Sequence, residues 1–242
     1  GKTTTLYATL KHLARPEVNI CTIEDPIEMV DPDINQMNVQ GNIGLTFASG
    51  VRTLLRQDPD IIMVGEIRDT ETASVAVQAA LTGHLVLTTL HTNDAPSSIN
   101  RLMDLGVPPY LLRSALLGVV AQRLVRVLCP RCKQPDDLSP DLWRALIAPH
   151  DLAVPDGVYR AVGCDECRHT GFRGRSGIYE ILRLESDLAR LIEPGISADK
   201  LRAQALSLGL RPLRIGGAEK VASGLTTAEE VLKVVEGERL FD

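Results

Sequence analysis

The sequence predicts an α/β protein in which helices cover a parallel sheet, followed by a cysteine-bearing segment and a helical region. Three observations lead there. Short apolar or β-branched runs alternate with helix-spaced segments through the first half of the chain. Three of those runs end in acidic residues or histidine. The texture then changes at Cys129, beyond which Cys, Gly, Pro and Arg crowd together as far as about Gly177.

The elements follow in order. Residues 3–13 form a helix, and 19–23 a short strand. Residues 46–57 place Phe47, Val51, Leu54 and Leu55 at helical spacing. Ile61-Ile62-Met63-Val64 is a fully apolar strand. Residues 70–81 are alanine-rich and stop at Gly83, with Asp69 as the cap. Residues 85–90 form another strand, and Pro96 opens the next helix at its first position. From Ile178 the chain is expected to be helical. Residues 197–208 form one helix, and Thr226/Thr227 with Glu229/Glu230 have capping-box spacing before another. The expected division is 1–128, 129–177 and 178–242.

Composition narrows the function. Of 242 residues, 44% are apolar and 24% charged, as in an ordinary globular protein with a buried core. There is no apolar run of about twenty residues to cross a membrane, and no signal peptide. A net charge of −5 and 3% aromatics argue against a broad nucleic-acid surface. The chain opens without Met, on Gly1-Lys2-Thr3, which reads as the end of a phosphate-binding loop G-x-x-x-x-G-K-[ST]. Gly1, Lys2, Thr3 and Thr4 are therefore candidate nucleotide-binding residues. Lys2 would reach the β- and γ-phosphates and Thr3 would hold Mg²⁺, while the helix that starts here offers free N–H groups and its positive dipole end.

Three clusters support that site. The strand at 19–23 runs into Glu24-Asp25-Pro26-Ile27-Glu28, the strand at 61–64 into Gly65-Glu66-Ile67-Arg68-Asp69, and the strand at 85–90 into His91-Thr92-Asn93-Asp94. In open parallel sheets the carboxyl edge of the strands is where ligands bind. Hydrolysis of ATP needs a group to polarise water, a metal-side acid and groups that meet developing charge. Glu24 is assigned to the water, Glu66 to the metal side and His91 to the γ-phosphate, with Arg68 as an organiser or an inter-subunit contact. The competing reading makes Glu24, Asp25 and Glu28 a solvated turn, residues 66–69 a helix cap and His84 a satisfied core histidine.

Four of the five cysteines form two C-x-x-C pairs, Cys129/Cys132 and Cys164/Cys167, with 31 residues between them. Four thiolates in this pattern suit a closed, structural Zn²⁺ site; disulfides or vacant thiols are the alternatives. Arg131, Lys133, Arg168 and Arg173 are expected to temper the thiolate charge. His169 is expected to stand aside, and Cys21 to be a small buried apolar residue.

Long motifs then resemble a known family. Thr22-Ile23-Glu24-Asp25-Pro26-Ile27-Glu28 resembles the acidic box of the type II secretion and type IV pilus ATPases. The run from Leu55 through Gln57-Asp58-Pro59-Asp60 to Asp69 resembles their Walker B segment, with Gly65 where many other ATPases have Asp. Thr82-Gly83-His84 through His91-Thr92-Asn93 resembles their histidine box, and Gln122-Arg123-Leu124-Val125-Arg126 their arginine segment. The resemblance implies a RecA-like core and a homohexameric, Mg²⁺-dependent ATPase. It would lie on the cytoplasmic face of the inner membrane and drive a platform protein there. Type II secretion (the GspE class) is expected, with PilB-type pilus extension as the alternative; the tetracysteine pattern disfavours pilus retraction. The family also carries phosphate-loop residues ahead of Gly1 and an amino-terminal domain that supplies arginines. The chain is accordingly expected to be a carboxy-terminal portion, inactive alone. A nucleic-acid translocase and a non-enzymatic docking module remain the readings from other classes.

Overall fold

The computed structural model describes residues 1–148, 150–155 and 157–235. Helix α1 (Lys2–Leu13) leads into strand β1 (Ile20–Glu24), and β2 (Asn35–Asn38) follows a loop. Then come α2 (Phe47–Leu54), β3 (Ile61–Val64), α3 (Thr70–Leu81) and β4 (Leu85–Thr88). The four strands form one sheet in the order β2-β1-β3-β4, and every pairing is parallel.

The apolar strands explain the layering. All residues of β1 and β3 are buried, as a sheet covered on both faces requires. Cys21 and Ile23 pair with Ile62 and Val64 and face α2 and the near side of α3. Ile20, Ile61 and Met63 point the other way, onto Tyr7 and Leu10 of α1. Helix starts are set by side chains. Thr46 and Ser49 cap α2 reciprocally, and Asp69 accepts from the Thr72 amide at 2.8 Å. Gly65 suits a close approach: a Cβ there would lie 3.3 Å from the Ile23 carbonyl oxygen, tighter than an ordinary contact.

The second half is built around a long ribbon. Helices α4 (Ala95–Asp104) and α5 (Pro109–Ala115) lead to β5 (Gly118–Leu128). The short β6 (Gln134–Asp136), α6 (Pro140–Ile147) and β7 (Val158–Arg160) follow, with β6 and β7 antiparallel. Strand β8 (Phe172–Arg183) returns antiparallel to β5, from Gly118 opposite Arg183 to Arg126 opposite Arg175. Helices α7 (Ser186–Ala189), α8 (Ala198–Ser207), α9 (Leu213–Ala222) and α10 (Ala228–Val235) close the fold. Gly217 lets α9 and α10 meet: a Cβ would fall 2.2 Å from Val231 Cγ1.

Here one expectation is corrected. The chain does not become helical at Ile178, because β8 continues to Arg183. Ile178, Glu180 and Leu182 are buried while Tyr179, Ile181 and Arg183 are exposed, a period of two that fixes a strand. The strand therefore crosses the position where the cysteine segment was expected to end. Trp143, Leu146, Ile147 and Val158 of that segment share one core with the ribbon and with α8, α9 and α10. Residues 236–242 of the expected helical region lie outside the described residues. Among the described residues, no helix is long and apolar enough to cross a membrane.

Candidate functional site: a cleft at the carboxyl edge of the sheet

The carboxyl ends of β1, β3 and β4 meet the start of α1 in a cleft of about 280 Å³. Lys2, Thr3, Glu24, Glu28, Glu66 and His91 all line it, together with Arg68. The structure thus brings together five of the seven residues that sequence reading assigned to nucleotide or chemistry, all but Gly1 and Thr4. Gly1 caps α1, its carbonyl accepting from the Thr5 amide at 3.0 Å. The side chain of Thr4 lines a separate groove with Ala8, His12 and Tyr179, so only its backbone belongs to the helix start.

Each side chain has a definite setting. No side chain caps α1, which leaves its first amides free. The Lys2 ammonium donates to the Leu90 carbonyl at 3.0 Å. Partial burial first, and the charge of Arg123 second, lower its pKa, while Glu66 opposes them. Arg123 is anchored on the Asn93 carbonyl at 2.9 Å. Thr3 Oγ1 donates to Glu28 Oε1 at 3.1 Å. Glu66 carries two cationic or donor neighbours, the Arg68 guanidinium on Oε1 and His91 Nε2, which lies 3.1 Å from Oε2. Arg68 is thereby an organiser within the chain. His91 itself is 77% exposed and free to meet a ligand on its other side.

Glu24 differs from the rest, being only 3% exposed. Tyr7 Oη lies 2.7 and 2.9 Å from its two carboxylate oxygens, and Thr22 Oγ1 donates to Oε1 at 2.7 Å. Glu24 thus departs from the solvated turn of the competing reading, while Asp25 and Glu28 are exposed as that reading has them. His84 does behave as a satisfied histidine, with Nδ1 2.9 Å from the Ala79 carbonyl.

The donor set fits a nucleotide with a hard cation. Lys2, Arg68, Arg123 and the free amides suit phosphate oxygens, and Thr3, Glu28 and Glu66 offer oxygens of the kind Mg²⁺ takes. Sequence reading missed Tyr7 and quoted Arg123 only within its segment. The signal for Tyr7 was present: Thr3, Tyr7 and Leu10 fall at i, i+4 and i+7, one face of α1.

The second candidate centre is the cysteine cluster. The four Sγ atoms of Cys129, Cys132, Cys164 and Cys167 lie within 4.8 Å of one another. Cys129–Cys164 is 3.9 Å, and Cys132–Cys167 and Cys164–Cys167 are 3.8 Å. Zn–S bonds of about 2.3 Å in a tetrahedron place sulfurs about 3.8 Å apart, so the geometry fits Zn²⁺. None is in a disulfide. The amides of Gly163, Cys164 and Gly171 point at sulfur, 3.3 Å from Cys132 and 3.1 and 3.2 Å from Cys167. Burial pushes both thiols up. In Cys167 the two amides and the neighbouring sulfurs outweigh it and bring the pKa to about 6, while that of Cys132 rises to about 11.

The expected basic compensation is corrected here. Arg131 and Arg173 pair with Glu166, and Lys133 donates to the Gly224 carbonyl at 2.8 Å over the Tyr159 ring. Backbone amides, at hydrogen-bond distance, take the role assigned to those three cations; the fourth, Arg168, holds the left-handed turn that follows Cys167. His169 faces Asp165 and stands outside the cluster. Cys21 is buried beneath α2.

Around the knuckle the chain is stapled to its carboxy-terminal helices. The Leu128 amide donates to the Leu225 carbonyl and Thr226 Oγ1 to the Arg126 carbonyl, both at 2.8 Å. Arg126 pairs with buried Glu230 at 2.6 Å and stacks 4.0 Å over the Phe172 ring.

Comparison with known proteins adds three findings. Residues 1–233 match the family described as "Type II/IV secretion system protein". The chain is 57% identical to the type IV pilus assembly ATPase TfpB of Acinetobacter baylyi, over 97% of this chain and 40% of that protein. It is 50% identical to the type II secretion system protein HxcR of Pseudomonas aeruginosa, over 97% of this chain and 46% of that one. The chain thus spans less than half the length of these relatives. Among solved structures, the pilus retraction motor PilT with bound ADP superposes with a TM-score of 0.68 at 28% identity, covering 97% of this chain and 57% of PilT.

Proposed function

The chain belongs to the type II/IV secretion system protein family, and from that premise we propose that it is the nucleotide-hydrolysing part of a motor that powers type II secretion or type IV pilus assembly. The observation that carries this reading is the single cleft in which Lys2, Thr3, Glu24, Glu66 and His91 meet at the sheet's carboxyl edge. The ADP in PilT, a structure of similar fold, supports the same use of the site.

In this reading the phosphates of ATP lie over the amides at the start of α1. Lys2 and Arg123 meet their charge. Thr3 and Glu66 would hold Mg²⁺ directly or through water, and the ion would supply positive charge against that which develops on the phosphates. Glu24 orients and polarises the attacking water. His91 touches the γ-phosphate, and its contact with Glu66 reports whether that phosphate is present. The tetracysteine centre would hold Zn²⁺ as a structural ion. The division at 128 and 177 belongs to the proposal as a functional one, with β8 shared. The working protein is a homohexamer on the cytoplasmic side of the inner membrane, acting on a platform protein there without nucleic acid.

The sequence reading favours secretion with assembly of a pseudopilus. The second reading, pilus extension, is favoured by the 57% identity to the A. baylyi pilus ATPase. Restoring secretion or piliation in the corresponding deletion strain separates the two.

The test of the motor itself is ATP hydrolysis by the protein at its full natural length. Lys2→Ala is expected to lower the rate by roughly 100-fold or more, about 2.7 kcal/mol of transition-state stabilisation. An unchanged rate would remove the cleft from the chemistry. Strong stimulation by nucleic acid would favour a translocase, and no hydrolysis in the assembled machine would favour a docking module.

A further inference from the structure

The hydrogen bonds around Glu24 point beyond the residues of the cleft. Tyr7 is 1% exposed and packs its ring among Leu10, Ile20 and Met63, while its hydroxyl reaches the carboxylate at the end of β1. Gln36, on the edge strand β2, completes the arrangement. Its Nε2 donates to Tyr7 Oη at 2.6 Å and to the Met29 carbonyl at 2.8 Å, and its Oε1 accepts from the Asp31 amide at 2.8 Å. The amide orientation is thus fixed on both sides. With its lone pair taken by Gln36, the Tyr7 hydroxyl has one proton to give, and that proton goes to Glu24.

The two oxygens of Glu24 are not equivalent. Oε1 faces Tyr7 at 2.7 Å, Thr22 at 2.7 Å and, more weakly, Gln36 at 3.4 Å. Oε2 has Tyr7 alone, at 2.9 Å. A carboxylate oxygen accepts about two hydrogen bonds well, so Oε1 is filled and Oε2 keeps a lone pair for a further donor. The same contacts fix the rotamer of a group that must orient a water molecule.

We infer that Tyr7, steadied by Gln36, is the positioning residue that holds the Glu24 carboxylate with Oε2 turned to the attacking water. The inference rests on the hydrolytic role proposed for Glu24. Tyr7 stands one helical turn below Thr3, so one helix carries both the phosphate contacts and the group that orients the water-polarising acid. Through Gln36, whose partners are Met29 and Asp31, the same acid is tied to the loop between β1 and β2.

The experiment is steady-state ATP hydrolysis and nucleotide binding by the full-length protein, with the variants Tyr7→Phe, Glu24→Gln and their combination. Tyr7→Phe keeps the ring in its core and removes only the hydroxyl, and a thermal melt confirms the fold. The expected result is a kcat lowered about 10- to 100-fold, with KM and nucleotide affinity within about 2-fold. In the Glu24→Gln background, Tyr7→Phe is expected to add less than about 2-fold, because it acts through that carboxylate. Gln36→Leu should follow Tyr7→Phe with a smaller loss of kcat. An unchanged kcat in Tyr7→Phe overturns the inference, as does a loss that persists undiminished beside Glu24→Gln. Should Glu24→Gln itself hydrolyse ATP at the parent rate, the role proposed for Glu24 falls, an outcome read separately from the Tyr7 series.

Discussion

The cleft and the cysteine knuckle are both polar centres in an acidic chain, yet they are assembled in opposite ways. The cleft collects side chains from four separate elements, and a buried parallel sheet sets their distances. The knuckle collects four sulfurs from two C-x-x-C pairs, and local turns aim three backbone amides at them. A site of the first kind keeps its framework when one ligating side chain is lost, because the apolar strands hold the rim. A site of the second kind is itself part of what holds its surroundings, since the knuckle's neighbours share a core with the ribbon and the last helices.

Removal of zinc tests that contrast with the largest effect. Chelation, or Cys132→Ser with Cys167→Ser, should cost several kcal/mol, roughly 5 or more, and melt the ribbon-and-helix half while the sheet half survives longer. Hydrogen exchange of residues 118–235 against residues 2–88 reads the difference, and uniform protection after chelation would break the comparison. The Lys2→Ala variant should show the reverse pattern: lost hydrolysis with an unchanged melt.

A smaller effect is expected at the staple between Arg126 and Glu230. Glu230→Ala should destabilise by about 1–3 kcal/mol, less than a wholly buried pair because Arg126 is partly solvated. The hydrogen bond from Arg126 lowers the Glu230 pKa below that of an ordinary glutamate, about 4.3. Its contribution is therefore fully present above that value and is lost as pH falls through the depressed folded one. Denaturant melts of parent and variant should differ at pH 7 and converge in stronger acid. A gap that stays constant with pH would mean the charge is not what matters there.

The smallest effect is predicted for His169→Ala. One zinc per chain should remain, by metal analysis, with stability within about 0.5 kcal/mol. Loss of metal in that variant would make the cluster more than a four-thiolate site.

What was legible in the sequence follows from the same physics. Strands β1 and β3 are apolar on both faces and announce themselves as Ile20–Glu24 and Ile61–Val64. Helices α2, α3 and α8 begin beside Thr46, Asp69 and Ser197, whose side chains accept the amides left over at a helix start. The cysteine spacing carries its own geometry. Strand β2 did not show, because an edge strand of Asn35, Gln36, Met37 and Asn38 has too little to bury. Strand β8 hid because its core-facing row includes a charged residue. Glu180 is fully buried, its Oε1 taking the Ala95 amide at 2.9 Å and its other oxygen 3.9 Å from Arg202. The tie from Tyr7 through Glu24 to Gln36 joins three elements and has no spacing rule to reveal it.

Strand β5 touches both centres. Gln122 Oε1 accepts from Thr5 of α1 at 2.9 Å, and Leu124 lies so close to Gly1 that a Cβ there would meet it at 3.1 Å. The strand then runs straight into Cys129. A hydrogen-bonded strand pair stretches very little along its length, so in mechanical terms β5 and β8 form a tie rod anchored at one end by the cysteine cluster and seated at the other against the helix that begins at Lys2. Any load placed on the carboxy-terminal helices would be delivered to that seat, at the threshold of the cleft.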